Sequence, residues 1–498
     1  MLNLSYRQFE EAAKKGEIVP VFAEFLADME TPVSVLHRCC ADENVFLLES
    51  VEGGERFGRY SFLGLNPRGV FTIEGGKAFY TQNFVRKEIP LAPDECPLDS
   101  LRQLTLQKKF VEVEGVPPLC GGAIGFLAYE AATMFEDLPK PAPDQTLAAF
   151  MIVDEMIAFD NIRHTIKIII CVHTNDYKNL TEAYADAELR AESLASRIRI
   201  PARIRDGGIL GVSPTSNAPR EKPEALKSNV SRLEFCERVE RARQNIHDGE
   251  CIQLVLSQRF SAPLESPPLE IYRRLRLVNP SPYMFYLKLG DRVLVGSSPE
   301  TMVKLEKNCS SLRPIAGTRW RGRDAQEDIA LANELLQDEK ERAEHLMLVD
   351  LGRNDLGRTA DPGTVQVKSL MKVERYSHVM HLVSDVEARL APQFDAIDLI
   401  KTTFPAGTLS GAPKVRAMEL IHELEGEPRG VYGGSVGYVS YNGSMDMAIT
   451  IRTMEIHRHE IHIQVGAGVV FDSIPEKEYN ETLNKAGALF SVVEGRKE

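Results

Sequence analysis

The amino-acid sequence predicts an α+β fold with large, mainly antiparallel sheets. Three observations carry this: many apolar runs of strand length, short turns joining consecutive runs, and helical segments set between groups of strands. Strands are predicted at Val45–Leu48, Ala149–Ala158 and Thr165–Val172, followed by an Ala- and Glu-rich helix over Leu180–Ile198. Pro, Gly, Ser and basic residues then dominate, as in Gly207-Gly-Ile-Leu-Gly-Val-Ser-Pro214, which reads as an exposed connection. The expected organisation is an N-terminal half, 1–205, a linker, 206–228, and a C-terminal half, 229–498. A capping box, Ser231-x-x-Glu234, opens an amphipathic helix through Phe235, Val239, Ala242 and Ile246 to Gly249. Further strands are expected at Gln253–Phe260, Tyr283–Leu289, Val293–Gly296, Gly434–Tyr441, Asp446–Met454 and Glu460–Gly466. Helices are expected at Ala325–Leu348, Ala396–Thr402, Lys414–Glu423 and Pro475–Phe490. The turn Tyr441-Asn-Gly-Ser444 favours an antiparallel hairpin, and no internal sequence repeat is apparent.

The chain has 498 residues, 43% hydrophobic and 26% charged, which describes an ordinary soluble protein. Its net charge of −13 argues against a nucleic-acid partner. Eight cysteines with no Cys-x-x-Cys pair read as free thiols of a reducing compartment, excluding a zinc site or a disulfide framework. The charged segment Met1–Pro20 lacks an apolar stretch, and Ile168–Val172 is too short to span a bilayer. A cytoplasmic protein is the expectation.

Glu341 and Glu344 lie three apart on one expected helix, and Glu478 and Glu481 three apart on another, so each pair projects from one helical face. Two such faces meeting at a pocket would suit Mg²⁺, which takes one or two carboxylates and otherwise keeps water or substrate oxygens. By spacing alone, the charge run Glu339–Glu344 reads first as solvated surface. Glu300, in Gly296-Ser-Ser-Pro-Glu300, follows a strand and a proline turn, a position that can aim an acid into a cleft or simply expose it. Arg452, expected within a strand, and Lys485, four residues past Glu481, fit either carboxylate binding or structural ion pairs. His381 reads as a core histidine or a proton carrier.

The glycine clusters are not nucleotide sites. Gly466-Ala-Gly468 has Phe471 where a dinucleotide fingerprint needs its third glycine. In Gly407–Lys414, Pro413 removes an N–H before the lysine and Val415 replaces the Ser or Thr of a phosphate loop. Both clusters fit backbone contacts to carboxylate and hydroxyl groups.

Pro405-Ala-Gly-Thr-Leu-Ser-Gly-Ala-Pro-Lys414, Tyr432-Gly-Gly434, Arg452, Gly466-Ala-Gly468 and Glu481 together resemble the chorismate-utilising enzymes, most closely the anthranilate synthase large-subunit branch. The resemblance implies that both halves share one layered sandwich flanked by helices. It implies Glu344 and Glu481 as direct Mg²⁺ ligands, with Glu341 and Glu478 acting through metal-bound water. Gly317, Thr318, Tyr432, Arg452, Gly466, Ala467, Gly468 and Lys485 match substrate contacts. Glu300, His381, Gln253 and Thr408 match catalytic positions, Glu300 as the general acid. Ser50 and Pro282-Tyr283-Met284 match the tryptophan-binding elements, although by pattern alone they read as a buried edge and an ordinary turn.

Two positions separate the related reactions. Ala316 in Pro314-Ile-Ala-Gly-Thr318 stands where covalent aminodeoxychorismate synthases carry a nucleophilic lysine. Gln253 stands where isochorismate and salicylate synthases carry a basic lysine; its amide cannot deprotonate water but can position ammonia. No glutaminase nucleophile motif is found, since Leu119-Cys-Gly-Gly122 has no following Gly-His-Gln. The resemblance therefore implies a separate glutamine amidotransferase subunit, a hetero-oligomer, and tryptophan as feedback inhibitor. The alternatives are an aminodeoxychorismate synthase of the Ala type and a non-catalytic ligand-binding homologue.

Overall fold

A computed structural model of the chain describes residues 1–26, 29–50, 58–92, 95–199, 226–376 and 379–495. Two large antiparallel sheets face each other, and both run continuously through the two halves of the chain. From edge to edge the first sheet contains Ile18–Leu26, Thr165–His173, Glu155–Asp160, Tyr60–Leu65, Asn44–Glu49, Tyr283–Leu289, Arg292–Ser298, Thr453–His457, Glu460–Val469, Gln253–Pro263 and Lys227–Ser228. The second contains Ile315–Trp320, Val379–Arg389, Cys309–Leu312, Thr301–Glu306, Met445–Ile449, Ser435–Ser440, Gly122–Leu127, Thr146–Val153, Gly69–Glu74, Lys77–Gln82 and Val85–Glu88. The halves join where Asn44–Glu49 pairs with Tyr283–Leu289, and again where Gly122–Leu127 pairs with Ser435–Ser440.

Burial on both faces explains why the central strands read as continuous apolar runs. In Tyr283–Leu289, Phe285 and Leu287 enter the core between the sheets, while Met284 and Tyr286 enter a second core beneath the helices. The inter-sheet core also holds Phe46, Phe71, Phe126 and Phe150. The helix-side core packs Phe9, Leu36, Ala187, Tyr272 and Leu489 against the first sheet.

Three single elements expected from sequence are each two elements. The strand expected at Ala149–Ala158 is Thr146–Val153 in the second sheet and Glu155–Asp160 in the first, switching at Asp154. The strand expected at Asp446–Met454 is Met445–Ile449 and Thr453–His457, again in different sheets. An unbroken apolar pattern cannot report such a switch, because both sheets bury both faces. The helix expected at Ala325–Leu348 is Ala325–Gln337 and Glu339–Gly357, because Asp338 is extended and its side chain caps the second helix through Glu341 N.

The capping box at Ser231 is half formed. Ser231 Oγ accepts from Glu234 N, whereas the Glu234 carboxylate accepts from Arg238 at 2.7 Å. The hairpin at Tyr441–Ser444 forms as expected, with Gly443 at φ 82°. Most of the stretch 206–228 lies outside the described residues; Lys227–Ser228 at its end pairs with Phe260–Ser261. Among the described residues, no helix is long and apolar enough to cross a membrane.

The halves repeat one topology that the sequence does not betray. In each, a hairpin of the first sheet crosses into the second (Tyr60–Leu65 to Gly69–Glu74; Arg292–Ser298 to Thr301–Glu306). Each later crosses back (Thr146–Val153 to Glu155–Asp160; Met445–Ile449 to Thr453–His457) and closes on a long helix, Leu180–Arg199 or Pro475–Glu494. The C-terminal half alone carries a long insertion between Cys309–Leu312 and Ser435–Ser440, which includes Glu339–Gly357, Val379–Arg389 and Lys414–Glu425.

Candidate active site

The C-terminal half places Glu300 and Arg452 at its two sheet crossovers. Glu300 directly precedes Thr301–Glu306, and Arg452 directly precedes Thr453–His457 at φ 49°. Arg452 is thus a switch-point residue and not the strand residue that its alternating surroundings suggested. The crossovers are tied together: Ile449 N donates to Glu300 O at 3.0 Å, and Ser297 N donates to Arg452 O at 3.1 Å.

Glu300 is buried, and Thr408 Oγ1 donates to its Oε1 at 3.1 Å. Burial pushes its carboxyl up to about 8, against the Thr408 bond and the positive charges of Arg452 and Lys485. Glu300 therefore keeps its proton at neutral pH, the state that a proton donor requires. A cavity of about 40 Å³ beside it is lined by Gly407, Thr408, Thr403 and Asp355. Lys414 from the same motif pairs with Asp355 at 2.9 Å, so this cation braces the insertion.

His381 lies on Val379–Arg389, opposite the bulge formed by Ala316–Thr318. Its Nδ1 is 3.1 Å from Gly317 O and 3.1 Å from Thr318 Oγ1. A carbonyl only accepts, so Nδ1 carries the hydrogen and Nε2 is the ring's basic atom. Burial lowers the affinity of His381 for a second proton; the Gly317 carbonyl opposes this, and the charge of Arg452 adds to it.

The strand Glu460–Val469 supplies close backbone approach. A Cβ at Gly466 would stand 2.6 Å from Tyr432 Oη, and one at Gly468 would stand 2.8 Å from Gln253 Nε2. The two glycines thereby bring Tyr432 and Gln253 over one face of this strand. Ala467 is fully buried and alternates to the opposite face, so only its backbone borders the site. Lys485 Nζ donates to Gly466 O at 3.1 Å and pairs with Glu481 at 2.7 Å.

The carboxylates of the two helix faces lie within each other's electrostatic field. Glu344 is raised by burial and by the negative charges of Glu341 and Glu481, with Lys340 and Lys485 opposing. Glu478 is raised by burial and by Glu481. Glu341 Oε2 would lie 3.1 Å from a Cβ on Gly317, whose φ is 66°, so the glycine makes room for this carboxylate. Mutually repelling carboxylates are the kind of oxygen donor that a hard divalent cation takes. Among the described residues no group of three or more His, Cys, Asp or Glu side chains lies close enough to hold a metal ion.

The segments expected to bind tryptophan lie together at the seam of the first sheet, where Glu49 pairs with Met284. Their side chains divide between two faces. Glu49 accepts from Tyr272 Oη at 2.5 Å and pairs with Arg276 at 3.0 Å on the helix side, where Met284 also packs. Tyr283 Oη instead reaches Asp446 and Thr301 between the sheets, at 2.9 and 2.8 Å. Alternation along the strand thus turns Glu49 to the helix side of the sheet.

Sequence reasoning missed the contribution of the N-terminal half. Tyr129 and Glu130 follow Gly122–Leu127 and reach across to the other half. Glu130 accepts from the backbone N–H groups of Arg429 and Gly430 at 2.6 and 3.1 Å, while the Tyr129 ring lies against the Arg429 guanidinium and beside Gly433. No motif marks them. It also missed Glu425 and Arg429, which the sequence presents only as two members of a charged, Gly- and Pro-containing turn at the end of a helix.

Proteins of known class share this two-sheet sandwich. The profile of the chorismate binding enzymes matches residues 43–491, and the chain belongs to that family. Within it, the chain is 44% identical to anthranilate synthase component 1 of Acetivibrio thermocellus, covering 97% of this chain and 96% of that one. It is 41% identical to anthranilate synthase component 1 of Aquifex aeolicus, covering 99% and 98%. Among solved structures, anthranilate synthase component I from Streptococcus pneumoniae superposes with a TM-score of 0.73 at 36% identity, covering 94% of this chain and 99% of that one.

Proposed function

We propose that this chain converts chorismate and ammonia to anthranilate and pyruvate, as the large subunit of an anthranilate synthase. The observation that carries the reading is Glu300: a buried carboxyl held protonated at neutral pH, bonded to Thr408, within the field of Arg452 and Lys485. Arg452 and Tyr432 receive the enolpyruvyl carboxylate, the Gly466–Gly468 backbone borders the ring, and Lys485 and Gly317-Thr318 complete the contacts. Glu344 and Glu481 would hold Mg²⁺, with Glu341 and Glu478 bonded through its waters. Bound there, the ion would polarise the ring carboxylate as a Lewis acid.

Gln253 orients ammonia toward ring carbon 2. As the C–N bond forms, the ring double bonds shift and the C4–O bond breaks, and Glu300 gives its proton so that the hydroxyl leaves as water. Removal of the carbon 2 proton then breaks the C3–O bond, releasing pyruvate and leaving the aromatic ring. His381, with Nε2 free of its proton, is the group assigned to proton handling in this second step.

Ammonia is supplied by a separate glutamine amidotransferase subunit in a cytoplasmic hetero-oligomer. Residues 1–205 form a regulatory half and 229–498 a catalytic half, with tryptophan binding at the seam near Ser50, Pro282 and Tyr283 as feedback inhibitor. Incubating the purified chain with chorismate, Mg²⁺ and an ammonium salt at alkaline pH should yield fluorescent anthranilate, whereas glutamine alone should yield none. A 4-amino product, isochorismate, or no consumption of chorismate would overturn the reading.

A further inference from the structure

Beneath the site lies a buried guanidinium–carboxylate pair to which the reaction above gives no task. Arg429 is 3% exposed and Glu425 6%. Arg429 Nε and Nη2 donate to the two Glu425 oxygens at 2.8 and 2.7 Å. Nη1 donates to Leu409 O at 2.7 Å, and Nη2 also donates to Val255 O at 2.6 Å. Glu425 Oε1 in turn accepts from Ser257 N and Oγ, each at 2.8 Å. The guanidinium carbon stands 4.5 Å from the Tyr129 ring centre and 5.7 Å from that of Tyr432.

Each segment in this grip carries a site group. Leu409 follows Thr408, the residue bonded to Glu300. Val255 lies two residues past Gln253 and pairs with Gly468. Tyr432, against the guanidinium face, reaches Gly466. A buried ion pair is weak evidence for a stabilising role, because apolar residues of similar volume often serve as well. A planar fork that fixes two carbonyls and a carboxylate at once does something apolar residues cannot, and lysine, a point charge, cannot do it either.

We propose that Arg429 is a positioning residue for the chorismate reaction: through Leu409 it holds Thr408 against Glu300 and keeps that carboxyl buried, and through Val255 and the Tyr432 ring it sets Gln253 against the glycine strand. The proposal rests on the reading of Glu300 as the proton donor.

The test compares the full chain with Arg429→Lys and with the double variant Arg429→Met/Glu425→Met, which leaves no buried charge unpaired. Turnover of chorismate with Mg²⁺ is followed at constant free ammonia across the pH range around 8, the value at which burial holds Glu300. Both variants should lose about ten- to a hundredfold in kcat, with KM for chorismate changed by less than about threefold. The alkaline limb of kcat should move to lower pH, since water admitted around Glu300 removes the burial that retains its proton. An unmoved limb in both variants, with kcat falling only as the folded fraction measured by circular dichroism falls, would overturn the proposal. If the parent chain forms no anthranilate, the functional reading fails separately; chorismate consumption in the same scans still reports the limb.

Discussion

The two halves present the same pair of sheet crossovers with opposite charges. In the C-terminal half, Glu300 precedes the strand that enters the second sheet and Arg452 the strand that returns; in the N-terminal half those places are held by Arg68 and Asp154. Arg68 and Asp154 face each other at 3.3 Å, and Arg68 also pairs with Asp176 at 2.6 Å. His173 and Tyr441 bond the same Asp154 oxygen at 2.9 and 2.6 Å. Lys485 has its counterpart in Arg190, each ten residues past the start of its closing helix, and Arg190 pairs with Glu155 at 3.2 Å.

The carboxylates respond accordingly. Burial alone would raise Asp154, yet the bonds from His173 and Tyr441 and the charge of Arg68 hold it below the ordinary 3.8, while Glu300 is pushed up to about 8. One half has filled its crossover with its own ions. The other keeps a protonated acid there, has Gly466 and Gly468 on the strand beside Thr453–His457, and adds an insertion bearing Glu344, His381 and Thr408. A shared scaffold thus carries an ion-paired brace in one half and a protonated acid beside the insertion in the other.

The widest gap between the halves should appear in the carboxylates that only the C-terminal half brings together. Glu344→Gln or Glu481→Gln should lower turnover at least about a hundredfold, because a hard cation loses an anionic ligand. Steady-state rates at modest Mg²⁺ measure this, and near-normal rates would remove both residues from the metal site. In the N-terminal half, Asp154→Asn should act on stability instead, costing about 1–3 kcal/mol, because it removes one of the two carboxylates on Arg68 and the charged acceptor of His173 and Tyr441. The sign with pH follows from the lowered carboxyl: its stabilisation is present above the usual carboxylate range and is lost as pH falls through the folded value. Urea titrations should therefore show parent and variant converging on acidification, and a variant that kept full stability but lost turnover would erase the contrast.

Thr408→Val sharpens the comparison within the site. Its hydroxyl bond favours the charged form of Glu300, so removing it while burial persists should move the alkaline limb of kcat to higher pH, by less than about one unit. The opposite shift is expected from loosening Arg429, so the two variants separate hydrogen bonding from burial. The smallest effect on uninhibited activity is expected at the seam. Ser50→Phe should leave the basal rate within about twofold, since Ser50 is none of the groups assigned to the acid, the metal or the substrate. It should also weaken inhibition by L-tryptophan; calorimetric titration showing unchanged tryptophan affinity would put the inhibitor elsewhere.

Much of the candidate site is legible in the amino-acid sequence, because the chemistry proposed for it demands particular residue types. Glycines at 466 and 468 announce close backbone approach, and carboxylates three apart on Glu339–Gly357 and Pro475–Glu494 announce two helical faces. The α+β class follows equally from strand-length runs and the turn at Tyr441–Ser444. The sequence does not reveal that the strands expected at Ala149–Ala158 and Asp446–Met454 each break between sheets, since burial on both faces leaves a continuous apolar pattern across Asp154 and Thr450–Arg452. Nor does it show that the halves repeat each other, because topology is preserved by pattern and not by identity. The protonation of Glu300, the tautomer of His381, the turning of Glu49 toward Tyr272 and the reach of Tyr129 to Arg429 all depend on neighbours far along the chain. Local sequence determines which groups are available; only packing decides which of them share a dielectric, a hydrogen bond or a charge.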